Sequence, residues 1–111
     1  MATIDFDHFD AVDLRVGRVV DARDFPKARK PAYKLWIDFG QHGVRTSSAQ
    51  ITRHYLKEDL IGRLVVAVTN FPPRRIADFS SEVLVLGAAD GDGQIVLLNL
   101  DREVPLGTKI S

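Results

Sequence analysis

The chain contains no cysteine, which excludes a disulfide framework, a thiolate metal site and a cysteine nucleophile, and fits a reducing, cytoplasmic setting. No apolar run approaches the roughly 20 residues that span a bilayer. Met1 to Asp10 has neither the basic start nor the apolar stretch of a signal peptide, so no membrane insertion is expected.

The residue sets that carry chemistry are missing as well. His8, His42 and His54 are scattered, none with a second histidine or a carboxylate at metal-ligand spacing. Ser47-Ser48 lacks the Gly-x-Ser-x-Gly elbow, and no glycine-rich loop opens a helix to cradle phosphate. Asp90-Gly91-Asp92-Gly93 resembles the start of a calcium loop, but Ile95 stands where that loop needs its glycine and Asp101 replaces its bidentate glutamate. No catalytic residue, metal ligand or cofactor motif remains, which points to a binding module rather than an enzyme.

What is present is one ordinary globular domain: 111 residues, 45% hydrophobic and 27% charged. Thr3 reads as a helix N-cap before Ile4, Phe6, Phe9 and Val12, whose spacing predicts one short helix. Beyond Asp13 the pattern turns to strands. Leu14 to Arg23 is long, and its interior Gly17 predicts a bulge or bend at a barrel corner. Tyr33 to Phe39 alternates Leu35, Ile37 and Phe39 against Trp36 and Asp38. Alternation alone leaves open whether Trp36 is a stacking platform or a core residue.

Gly40 to Gly43 is a turn, and Val44 to Ser48 returns. Gln50 to Leu60 loses the two-residue period and reads as an irregular or helical crossover ended by Gly62. Leu64 to Thr69 is apolar throughout its first five residues, as a strand buried on both faces would be. Pro72 and Pro73 enforce a loop, and Glu82 to Leu86 is a further strand. The Asp90 turn then leads into an Ile95 to Leu98 strand, and Pro105 and Gly107 mark a last turn before the tail.

Five strands with the long crossover between the third and fourth make an all-β, five-stranded Greek-key barrel of the OB class, with a short N-terminal helix and short terminal extensions. We read residues 1–111 as one domain: a helical arm at 1–12, the barrel at 13–88, and a hairpin with a C-terminal extension at 89–111. In OB barrels oligonucleotides lie on the face of the second and third strands, between the loop joining strands one and two and that joining four and five. Here those loops are Asp24 to Ala32 and Asn70 to Ser81, both rich in cations, prolines and phenylalanines. Cations neutralise phosphates and aromatic rings stack on bases.

The net charge of zero hides a contrast: Phe25 to Arg75 carries ten basic against three acidic residues, a net of +7, and the flanks carry −7. Lys34 and Arg45, on the second and third strands, and Arg53 just beyond them extend the same basic series.

Five ordered blocks carry a family resemblance. They are Asp13-Leu14-Arg15-Val16-Gly17-Arg18-Val19, Leu60-Ile61-Gly62-Arg63, Asn70 to Ile76, Ser81 to Leu86, and Val104 to Ile110. The chain resembles the tRNA-binding OB domains appended to methionyl- and phenylalanyl-tRNA synthetases. Lys30 to Gly40, Ser47 to Thr52 and the Pro72-Pro73 pair are more similar to the CsaA-type secretion chaperones of that superfamily. One departure is Val83, where synthetase-type domains commonly carry glycine after the Ser-Glu pair.

The resemblance implies a homodimer joined through terminal segments that binds unfolded or presecretory polypeptides. In that role Phe25, Tyr33, Phe71, Ile76 and Phe79 would form shallow apolar pockets. As a tRNA binder, the chain would instead use Lys27, Arg29, Lys30, Arg53, Arg74 and Arg75.

Overall fold

A computed structural model describes residues 1–111. Its five-stranded sheet is built around β1 (Leu14–Asp24). β1 is long enough to serve two neighbours: Leu14 to Arg18 pair with β4 (Leu64–Val68), and Arg18 to Asp24 pair with β2 (Tyr33–Asp38). β3 (Val44–Ala49) returns along β2 after one 3-10 turn, Gly40–His42. β7 (Leu84–Val85) pairs with β4, which gives the sheet order β3-β2-β1-β4-β7.

A barrel then needs its outer strands joined, and side chains make much of that seam. The Thr46 carbonyl accepts from the N–H groups of Glu82 (2.9 Å) and Val83 (3.0 Å). The Glu82 carboxylate accepts from the Thr46 N–H (3.1 Å), and Ser81 Oγ accepts from the Ser48 N–H (2.9 Å). Polar backbone groups of β3 that would otherwise be unpaired at a sheet edge are satisfied this way. The barrel encloses Leu35, Ile37, Phe39, Val65 and Ala67, all nearly or wholly inaccessible to solvent. β4 is buried at all five positions, as its continuous apolar run requires.

The bend in β1 differs from the sequence expectation. Its register shift falls between Val19 and Asp21, leaving exposed Val20 as the extra residue, so Gly17 is not the bulge. Gly17 instead permits close packing: a Cβ there would stand 2.5 Å from Ile37 Cγ2 and 2.7 Å from Phe39 Cε1.

The N-terminal helix α1 spans Phe6–Ala11, not the turn that Thr3 would cap. Its N-cap is Asp5, whose carbonyl accepts from the His8 N–H at 3.0 Å, and no side chain caps it. The crossover contains α2 (Lys57–Leu60) and ends at Gly62, whose φ of +92 is a conformation that favours glycine.

The hairpin expected around the Asp90 turn is present, and the C-terminal segment does more than the sequence indicates. β8 (Gly87–Ala89) and β9 (Ile95–Leu97) form a hairpin whose turn Asp90 organises, accepting from the N–H groups of Asp92 and Gln94 at 2.9 Å. The Gln94 N–H, helped by His54 at 2.6 Å, holds the Asp90 carboxyl below the usual carboxylate range. The C-terminal segment is no mere tail: Gly107 and Ile110 donate to the Val16 and Leu14 carbonyls at 2.8 Å, and Val16 donates to Thr108 at 3.0 Å. It thereby flanks the half of β1 that β2 leaves unpaired.

Candidate functional site

The two cation-bearing connections meet. Asn70 to Ser81, expected as an open loop, is a hairpin of β5 (Arg74–Ile76) and β6 (Phe79–Ser81). The prolines exclude residues 72–73 from the ladder, but the chain regains its N–H donors at Arg74 and pairs across the two-residue Ala77-Asp78 turn. Ala77 takes φ +52 there. The hairpin tip is fastened to the first loop by an ion pair, Lys27 Nζ to Asp78 Oδ2 at 2.9 Å, which holds the Asp78 carboxyl below the ordinary range.

Aromatic rings complete the fastening. Phe79 meets Phe25 edge-on at 5.5 Å and Trp36 at 5.8 Å. The Lys34 ammonium lies 4.9 Å from the Phe25 ring centre and 5.3 Å from that of Phe79, and the Arg23 guanidinium lies 5.0 Å from that of Trp36. Thr46 Oγ1 donates to the Ser80 carbonyl at 2.6 Å. The hairpin therefore lies across the outer face of β2 and β3, where OB barrels commonly take oligonucleotides, and Trp36 is half-covered beneath it.

The open surface is displaced to the side of the hairpin. A cleft of about 560 Å³ runs between Lys27, Arg29 and Lys30 on one wall and Arg74, Arg75 and Ile76 on the other, over Ser48 and Gln50. Lys30 and Gln50 also border an adjoining cavity with Arg53, Gln94 and Ile95. Arg29, Lys30, Arg53, Arg74 and Arg75 form no ion pair, whereas Lys27 is committed to Asp78. Lys34 is drawn into the aromatic cluster, and Arg45 lines neither cavity.

Past Arg74 and Ile76 the groove turns apolar. Phe71, Pro72, Val83 and Leu84 line a cavity of about 290 Å³ with those two residues, and a neighbouring hollow adds Ile51, Leu86, Ile95 and Leu97. Val83 is 4% exposed and fills core beneath this section.

Of the apolar residues singled out in the sequence, Phe71 is exposed at 49%, and Ile76 and Phe79 are partly exposed. Phe25 and Tyr33 are buried at 4% and 8%, with the Tyr33 hydroxyl donating to the Tyr55 carbonyl at 2.8 Å. Their bulk holds loop and barrel together and offers little surface to a ligand. Sequence reasoning passed over Ser48, Gln50, Leu84 and Ile95. Strand alternation could have flagged Ser48 as outward-facing, but nothing local marks the others.

No three His, Asp or Glu side chains converge to hold a metal ion, and no helix is long and apolar enough to cross a membrane.

The chain matches the family described as "Putative tRNA binding domain" over residues 14–109. It is 36% identical over 110 residues to the methionine–tRNA ligase of Methanocaldococcus jannaschii, covering 99% of this chain but only 17% of that ligase. Among solved structures it is similar to the chaperone CsaA of Bacillus anthracis, with TM-score 0.94 and 55% identity over 99% of this chain and all of the other. The CsaA chaperone protein of Picrophilus torridus gives TM-score 0.91 and 51% identity, over 98% of this chain and 100% of the other.

Proposed function

Because this chain belongs to the putative tRNA-binding domain family, among the relatives of the CsaA chaperones, we propose that it captures unfolded or presecretory polypeptides as a non-catalytic, CsaA-like chaperone. The observation that carries this reading is the apolar section of the groove. Phe71 and Leu84 are each 49% exposed beside Ile76, and contiguous apolar surface of this kind marks interaction sites. An extended chain would seat its bulky side chains there.

A second reading, tRNA binding, is favoured by the five unpaired cations gathered from three separate segments. The two ligands differ in their response to salt. For single strands each neutralised phosphate contributes about −0.7 to the slope of log affinity against log salt, so roughly five contacts give a slope near −3.5. Titrating tRNA and an unfolded presecretory polypeptide at two salt concentrations is expected to give that slope for RNA and little change for polypeptide. A flat RNA response discards the tRNA reading; no capture of polypeptide at either concentration discards the chaperone reading.

The working unit proposed is a homodimer joined through the N-terminal arm. None of the residues of α1 is buried, and Ile4 and Phe6 are 73% and 71% exposed with Phe9 alongside. A second copy would cover them. The double substitution Phe6→Ser, Phe9→Ser is expected to halve the mass seen by sedimentation; an unchanged mass rules this arm out as the contact.

A further inference from the structure

We infer that the groove is a single site on which polypeptide and polyanion exclude one another, so that single-stranded RNA switches off polypeptide capture. The inference rests on the capture reading above and adds its regulation. It starts from the three-residue strand β5. Arg74 and Ile76 border the cationic cleft and both apolar hollows, and Ser48 forms part of the floor of all three. No wall separates the sections.

The chemistry at that junction cannot serve both ligands together. A polypeptide laid over Ile76 toward Phe71 and Leu84 covers the Arg74 stem and takes its guanidinium out of water. RNA that neutralises Arg74 and Arg75 brings phosphates, with their hydration, against Ile76, where an apolar side chain would have to sit. The hairpin offers no second position: its tip is held by the Lys27–Asp78 pair and by Phe79 packed on Phe25 and Trp36. The cations beyond the junction, Arg29, Lys30 and Arg53, extend the hold on RNA and line neither apolar hollow themselves, their cavity meeting one of them at Gln50 and Ile95.

The test uses the full chain, fluorescent poly-uridine, and reduced, carbamidomethylated lactalbumin as the unfolded polypeptide. Polypeptide affinity is measured first without RNA and then at rising RNA. Saturating RNA is expected to weaken capture at least tenfold, and saturating polypeptide to weaken RNA binding by the same factor, since coupling between binding equilibria is reciprocal. Ternary complexes with both affinities unchanged would overturn the inference. Absence of capture in the first, RNA-free titration overturns the capture reading itself and takes the inference with it, so the two failures are distinguishable.

A triple variant, Arg29→Gln, Lys30→Gln, Arg53→Gln, locates the effect. With each protein compared with its own RNA-free value, the factor by which RNA weakens capture is expected to fall toward one. If RNA displaces polypeptide from the variant as effectively as from the parent chain, the cationic cleft is not where RNA acts and the proposal fails.

Discussion

Gly17→Ala is expected to destabilise the protein by about 3 kcal/mol, the upper range for overpacking a dense core, and to lower its melting temperature by roughly 10 °C at the size scaling for domains near this length. The added methyl would meet Ile37 Cγ2 at 2.5 Å and the Phe39 ring at 2.7 and 2.9 Å. Both side chains are fully buried, so neither can swing away cheaply. Alanine restricts the unfolded chain more than glycine does, which recovers about 0.4–1 kcal/mol, too little to offset such contacts.

Urea denaturation checks the value. The paired substitution Phe39→Leu removes the ring edges in conflict, so a double-mutant cycle should give a favourable coupling of about 1 kcal/mol or more. If Gly17→Ala costs less than about 0.5 kcal/mol, as exposed positions do, β1 and β2 are not packed as described. Binding measured well below the transition should be little changed, because Gly17 lies in the barrel interior and borders none of the groove cavities.

The second large effect separates the two sections of the groove. Arg74→Ala with Arg75→Ala removes two of the five unpaired cations and is expected to weaken RNA binding by about tenfold or more at physiological salt. It should also flatten the salt slope by about 1.4, at −0.7 per phosphate contact. Phe71→Ala, on the apolar side, is expected to abolish most polypeptide capture while leaving the RNA slope unchanged.

Both Arg74 and Arg75 are exposed, as is Phe71, so folding stability should shift by no more than about 0.5 kcal/mol in either variant. Fluorescence anisotropy with each ligand reads both effects. Equal loss of RNA binding from Phe71→Ala and from the double arginine change would mean that RNA lies along the apolar section too, against the division described here. Unchanged RNA affinity after the arginine change would remove phosphate contacts from β5 altogether.

Alternation at Leu35, Ile37 and Phe39, the continuous apolar run from Leu64 to Val68, and the long period-free crossover gave the strand order from local pattern. Side-chain direction and burial repeat along a strand, so these signals survive without knowledge of neighbours. The β5–β6 hairpin escaped because its Ala77-Asp78 turn lacks the Asn-Gly or Asp-Gly signature and two prolines precede it. The partners of its tip, Lys27 and Phe25, lie about fifty residues earlier, beyond any local pattern.

Burial of Phe25 was hidden for a related reason, whereas Tyr33 shares the inward face of β2 with Leu35 and Ile37, where strand alternation places it. A ring in a loop looks the same whether it faces water or closes a barrel end, and for Phe25 only the contact with Phe79 distinguishes the two. The C-terminal segment read as a tail because its hydrogen-bond partners, Leu14 and Val16, stand at the other end of the chain.

By itself, then, the amino-acid order determined a cysteine-free, five-stranded barrel with two basic, ring-bearing connections, because each of those properties is written in neighbouring residues. Only the tertiary structure decided where a ligand has room. It folded one connection into a hairpin over the outer face of β2 and β3, buried the Phe25 ring of the other, and opened a groove beside Arg74 and Ile76 that is cationic at one end and apolar at the other. That outcome depends on contacts between segments far apart in sequence, whose energies exist only once the barrel has brought them together.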